Sequence, residues 1–317
     1  MMSTSVADLE NQIRNRINAR RKQHELLGRS ADWNRLCSAL DVIGDTELGL
    51  DAYLGHPEVR DTGTQYLHVY GALQLLQTQQ DAASEICAAL QIKPQASPKV
   101  PLIREVRSSA VAHPTRQQKN NQSKSNFIVH ITLSQHGFTL FTVVADESSH
   151  TERYISIPKL VALQRTALVA ALVEVLAILD EAEMKHREKH KDEKLAGCFP
   201  STLGYYFSKI FEAIHSPRSY PLGGMHVKLV TECLVKMRSM LEERGEWGIS
   251  ESINYEYELL EYPLQQLATF FGDRSASKFN DKDAYIFSAF IRGQIETLIK
   301  IAQEIDEEYQ ASPATDG

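Results

Sequence analysis

Cysteine is scarce in this chain: Cys37, Cys87, Cys198 and Cys233 are scattered over 317 residues. No two of them form a CxxC pair, which argues against a zinc ribbon or a dithiol redox centre. Four isolated thiols read as buried apolar residues of a reducing compartment rather than a disulfide framework. The motifs GxxxxGK[ST], GxGxxG, GxSxG and HExxH are all missing. The sequence therefore offers nothing for phosphate-loop, dinucleotide, serine-hydrolase or zincin chemistry, and no cofactor is expected. Long apolar runs are missing as well. The greasiest window, Thr166 to Leu179, is broken by Glu174 and preceded by Arg165, which reads as too short and too charged for a bilayer needing about 20 apolar residues. The first residues lack a signal-peptide core, so a cytoplasmic protein without a membrane partner is expected. Excess positive charge is absent too. Lys plus Arg is 34 against 41 for Asp plus Glu, a net −7, which excludes a uniformly basic nucleic-acid coat.

What is present is material for a core, with 43% hydrophobic and 24% charged residues. The length suits one large or two ordinary domains. Residues 1–60 read as an N-terminal helical segment, its basic cluster (Arg14, Arg16, Arg20, Arg21, Lys22) as a solvated helix face. Loop signals fill 51–64, and about Gln65 to Gln91 has helical period with a polar midpoint at Gln77, Gln80 and Asp81. Two prolines in 93–100 end that helix, and a short one runs from Pro101 to Ala112, closed by Pro114. The period then changes to two. Phe127, Val129, Ile131 and Leu133 share a face, a Gln135–Gly137 loop follows, and a second strand gives a β-hairpin at about 127–145. Arg153–Ser156 can add a third strand. A long helix from Pro158 to about Leu195 ends in a charged stretch expected to project into solvent. In it His186 and His190, one turn apart among lysines and arginines, read as solvated rather than metal-binding. Gly197 and Pro200 mark a domain boundary. Residues 201–317 look purely helical, with Pro263 as a kink or break. They carry 11 basic and 18 acidic residues, all of the net negative charge.

The run Ile103–Thr115 (IREVRSSAVAHPT) is the most suggestive for chemistry. Arg107 and His113 flank a helix end. A histidine titrating near neutrality can move the proton of a 2′-hydroxyl or leaving oxygen, and an arginine can hold the phosphate and its developing charge. The segment 93–124 has seven basic residues against Glu105, locally +6 in a −7 chain. Arg104, Arg116 and Lys119 in that segment, with Gln80 and Ser108, are candidate substrate-binding residues. The alternative is structural: Arg107 paired with an acidic neighbour and His113 favoured at a helix C-terminus.

This passage resembles the R-x(4–6)-H motif of the HEPN superfamily, and Tyr66–Leu90 is similar to that family's earlier core helix. The resemblance covers about residues 61–195. It implies a mainly α fold: a HEPN-like up-down helical bundle with an inserted hairpin, followed by a second all-helical domain at 201–317. Active members are endoribonucleases of toxin–antitoxin, phage-defence and RNA-processing systems. Carried onto this chain, the resemblance makes Arg107 the phosphate-binding residue and His113 the general acid–base. Asp81 or Gln80 would be the polar group that orients them. It also implies an RNA substrate, a homodimer and a protein antitoxin or regulatory partner. Ser108 departs from the polar Asn, Asp or His common after the motif arginine. The alternative within the same fold is a non-catalytic module binding RNA, a nucleotide or a protein partner.

Overall fold

Ser5 opens α1 (Val6–Ile17) with a reciprocal capping box, its hydroxyl accepting from the Asp8 amide while the Asp8 carboxylate accepts from the Ser5 amide. The computed structural model describes residues 4–115, 117–119, 122–144 and 150–310. In the first part, α2 (Arg20–Leu27), α3 (Ser30–Gly55) and α4 (Thr62–Ala89) follow. Apolar positions at helical spacing on α1, α3 and α4 (Leu9, Ile13, Leu36, Leu40, Ile43, Ala83, Ile86) bury with Leu168, Leu172 and Val175 of α6 (Ile157–His190) in one core. The basic face of α1 is paired as well as solvated: Arg14 bonds Asp41 at 2.7 Å and Arg16 bonds Asp180 at 2.6 Å.

A second core lies around the other half of α4. Leu50, Leu73 and Leu76 meet Ile103 and Val106 of α5 (Pro101–Arg107) and Phe138, Leu140 and Ile155 of the sheet. That sheet is antiparallel in the order β1 (Gln117–Lys119), β2 (Gln122–Ser134), β3 (Gly137–Val144), β4 (His150–Ser156). The expected hairpin is thus β2–β3, the third strand is β4, and β1 adds a three-residue edge. Gly137 is required at the hairpin because a Cβ there would sit 2.1 Å from the Ile155 carbonyl oxygen. Gln135, in the turn, is buried. Its side chain bonds the His56 carbonyl and the Val59 amide, and its own carbonyl accepts from the Tyr53 hydroxyl, tying the hairpin to the end of α3.

The second part is helical throughout its described residues: the end of α6, then α7 (Leu203–Ile214), α8 (Tyr220–Glu243), α9 (Glu251–Gly272) and α10 (Asp281–Gln310). Phe207, Ile210, Val230, Met237, Leu260, Phe270, Ile291 and Ile295 form its core. The chain continues through Pro263 without a break in α9. Arg244, with a side chain only 1% exposed, donates to the carbonyls of His190 and Glu193. Asp306 accepts from the amides of Leu195 and Ala196 at 2.8 and 2.9 Å.

The compact units are Met1–Glu181 and Ala182–Gly317. The sequence reading places breaks at 60 and 195–201 instead. The difference arises because α1–α3 share a core with α4 and α6, and because α6 runs on beyond the dividing point. The charged end of α6 is also not wholly solvated. His190 is 3% exposed, its ring 4.9 Å from that of His186, whose Nε2 lies 3.0 Å from the Tyr309 hydroxyl. Among the described residues no group of three metal-ligating side chains gathers. By length and composition one stretch, beginning with α6, passes for a membrane span, contrary to the sequence reading. Its Leu168, Ala171, Leu172 and Val175 are buried in the first unit.

Candidate functional site

The polar midpoint of α4 is where its neighbours supply partners. Gln80 is fully buried, and its amide donates to Gln164 Oε1 on α6 at 2.9 Å. Gln80 Oε1 accepts from the Val100 amide and from Arg104 Nε, both at 3.2 Å. Gln164 in turn reaches the Pro98 carbonyl at 3.5 Å. A buried amide without partners would cost about 1–3 kcal/mol, so this chain of bonds is what allows glutamines inside the bundle. Asp81, one residue on, accepts from Arg104 Nη2 and from Gln77 Nε2.

Arg104 and Arg107 are three residues apart on α5, which lies against α4, and they meet different groups. Arg104 is neutralised by the Asp81 carboxylate. Arg107 is held by a neutral amide, with Nε and Nη2 at 3.3 and 2.9 Å from Gln74 Oε1. Among the described residues no carboxylate pairs with Arg107. The resemblance implies that Asp81 or Gln80 orients Arg107 and His113; here Asp81 bonds Arg104 and Gln77, Gln80 bonds Gln164, Val100 and Arg104, and neither bonds the Arg107 or His113 side chain.

After Arg107 the helix widens. Ser108–Ala112 is a π-turn, closed by the His113 amide donating to the Ser108 carbonyl at 2.9 Å. Such a turn holds one residue more than an α-helical one and is frequent at functional sites. His113 then leaves helical geometry (φ −138°, ψ 54°), as a residue before proline must. It is exposed and its imidazole makes no hydrogen bond among the described residues; it stands at the C-cap of the turn, where the structural alternative places it. No hydrogen bond joins the Arg107 and His113 side chains. Beyond His113 the chain becomes the neighbour of β2: the Pro114 carbonyl accepts from the Asn126 amide at 2.7 Å and the Thr115 carbonyl from the Ser125 hydroxyl at 3.1 Å. Of the remaining candidates, Ser108 starts the π-turn, Lys119 lies in β1, and Arg116 falls outside the described residues.

Four residues at this face were not singled out as site residues by sequence. Gln74 and Tyr70 lie one turn apart on α4, and Tyr66 one turn earlier; the Tyr66 and Tyr70 rings are 5.7 Å apart. His130 of β2 places its ring 6.0 Å from that of Tyr66. Burial, and secondarily Tyr66, pushes the Tyr70 hydroxyl above its usual range. The four-residue spacing of 66, 70 and 74 was a signal that could have found the stripe; His130 carries none. Comparison with protein-family models, curated proteins and solved structures returned no match for this chain.

Proposed function

We propose that the chain is a HEPN-like RNA-cleaving protein whose site is the exposed face around Arg107 and His113. One observation supports this most: of two arginines a turn apart, one is neutralised by a carboxylate and the other, Arg107, is positioned by an amide that leaves its charge uncompensated. A guanidinium fixed in place but not neutralised is suited to a phosphate, which it can grip through two N–H donors. In this reading Arg107 binds the scissile phosphate and stabilises charge on its oxygens. His113 takes the proton of the 2′-hydroxyl or returns one to the leaving oxygen, giving a cyclic or 3′-phosphate end. A homodimer and a neutralising protein partner belong to the same proposal.

The test is cleavage of a mixed RNA pool in EDTA by the wild type, Arg107→Ala and His113→Ala, each shown folded by circular dichroism. Loss of about 10²–10⁴-fold in both variants is expected for a phosphate clamp and an acid–base group. Equal cleavage by all three, or none by the wild type, overturns the reading. The second reading, a non-catalytic binding module, draws on the bonds that fix Gln80, Asp81 and Arg104 to one another. It predicts RNA or partner binding that weakens in Arg107→Ala with no cleavage by any form.

A further inference from the structure

The most apolar window of the stretch that begins with α6 is only 33% buried. On one side of α6, Leu168, Leu172, Val175 and Leu179 fill a core. On the other, Leu163 is 43% and Val173 47% exposed, with Thr166, Ala170 and Ala177 exposed alongside them. These five positions alternate spacings of three and four residues, the 3.5-residue repeat with which one helix packs along another. The seam they form is narrow. At about 100° per residue, Glu174 and Asp180 fall on its two sides. Glu174 is bonded to the Gln95 and Ala96 amides, and Asp180 to Arg16 of α1. A bilayer would have to take in both carboxylates, whereas a second helix fits between them.

Charge along α6 says which helix fits. Residues 157–173 hold Lys159 and Arg165 and no acidic residue. Residues 174–183 hold Glu174, Asp180, Glu181 and Glu183 and no basic one. Lys159 and Glu181, both exposed, fall on the seam itself, at equal distances either side of Ala170. A parallel copy of the helix would set like ends together. A copy turned end for end sets each basic half against the other's acidic half. With a two-fold axis at Ala170, Lys159 then meets Glu181, and the large Leu163 meets the small Ala177. One surface thus complements itself, which is what a two-fold interface requires.

We infer that α6 pairs antiparallel with α6 of a second copy of this chain, about a two-fold axis at Ala170. The pairing gives the homodimer of the RNA-cleaving reading a surface, but it does not rest on that reading.

Mass is measured by sedimentation equilibrium of the full chain over a range of micromolar concentrations, each variant first shown folded by circular dichroism. The wild type is expected to dimerise. Ala170→Glu sets two carboxylates against each other at the axis and leaves both cores untouched; it should raise the dimer Kd at least about tenfold. Lys159→Glu and Glu181→Lys should each weaken the dimer about threefold to tenfold. The double reversal should restore it, because each end again meets its opposite. A parallel pair would set like against like in every form. A wild type monomeric at every concentration, a dimer indifferent to Ala170→Glu, or no recovery in the double reversal overturns the inference. A monomer that floats with phosphatidylcholine vesicles until Ala170→Glu is introduced also overturns it, because the seam then faces lipid. A dimer intact in preparations that cleave no RNA leaves the pairing standing and removes the catalytic reading.

Discussion

Arg104 and Arg107 each bond a glutamine amide oxygen, that of Gln80 and of Gln74, but Arg104 also meets the carboxylate of Asp81. Converting Gln74→Glu places a carboxylate where the amide oxygen now stands and neutralises Arg107 without moving it. On the proposed reading, RNA cleavage should then fall by about 10²-fold or more, as for loss of a phosphate clamp. Stability should change by less than about 1 kcal/mol, because the new pair is solvent-exposed. A cleavage assay beside a urea titration checks both, and unchanged cleavage argues against a role for the Arg107 charge. Gln135 is a residue of the opposite kind, with a structural task only. Gln135→Ala removes its bonds to His56 and Val59 and should lower unfolding free energy by about 1–3 kcal/mol in urea, with cleavage by the folded fraction unchanged. At this scale the sequence told only part. Arg107, His113 and Gln80 stand out by their chemistry. Gln74 and Gln135 do not, since a glutamine at a polar-looking position carries no mark of what it will meet.

At the scale of elements, period and breakers were informative. The shift from 3.6 to 2 located the strands, and Pro101 and Pro114 bracketed the short helix that carries the arginines. The polar start of β2 and the three-residue β1 were less legible, because Gln122–Asn126 lack the apolar alternation that marks a strand; their pairing is a matter of backbone bonds. The π-turn was not legible at all, because Ser-Ser-Ala-Val-Ala suits an α-helix equally well. The loop before α5 is held by Glu174, whose carboxylate accepts from the Gln95 and Ala96 amides at 2.7 and 2.8 Å. Those bonds, Gln95 first, hold its carboxyl below the ordinary value of 4.5. A carboxyl lowered by folding stabilises the fold fully above its unfolded value, and that contribution is lost as pH falls through the lower folded value. The Gln95 and Ala96 amide resonances should therefore titrate together below pH 4.5, and Glu174→Gln should abolish the step. A midpoint at or above the free value would contradict the contact.

For the whole molecule, apolar stripes on single helices were legible in the sequence, but neither which stripes share a core nor the place where the units divide was. Glycine and proline near 197–200 mark a local break in the backbone, whereas the division follows which stripes share a core. The second unit holds a buried charge pair that apolar patterning could not foretell, Arg244 with Asp306 at 3.7 Å. Asp306→Ala strips the carboxylate from a buried guanidinium and frees the amides of Leu195 and Ala196, at a cost of about 3–5 kcal/mol. Amide-exchange protection should fall across α8 and α10 of the full chain while α4 keeps its own. Equal loss in α4 would show that the units do not unfold separately. The π-turn bears on the molecule in another way, as a matter of counting. Deleting Ala110 would return Ser108–His113 to ordinary α-helical pitch with no side chain of the site altered. Each residue of an α-helix turns the chain by about 100°. Four such steps and the five of the wide turn each complete about one rotation, so the deletion would leave His113 and the thread into the sheet pointing much as they now do relative to Arg107. The wide turn is thus where the chain absorbs one extra residue, and a one-codon deletion there would disturb the direction of these two side chains far less than a deletion within α5 itself.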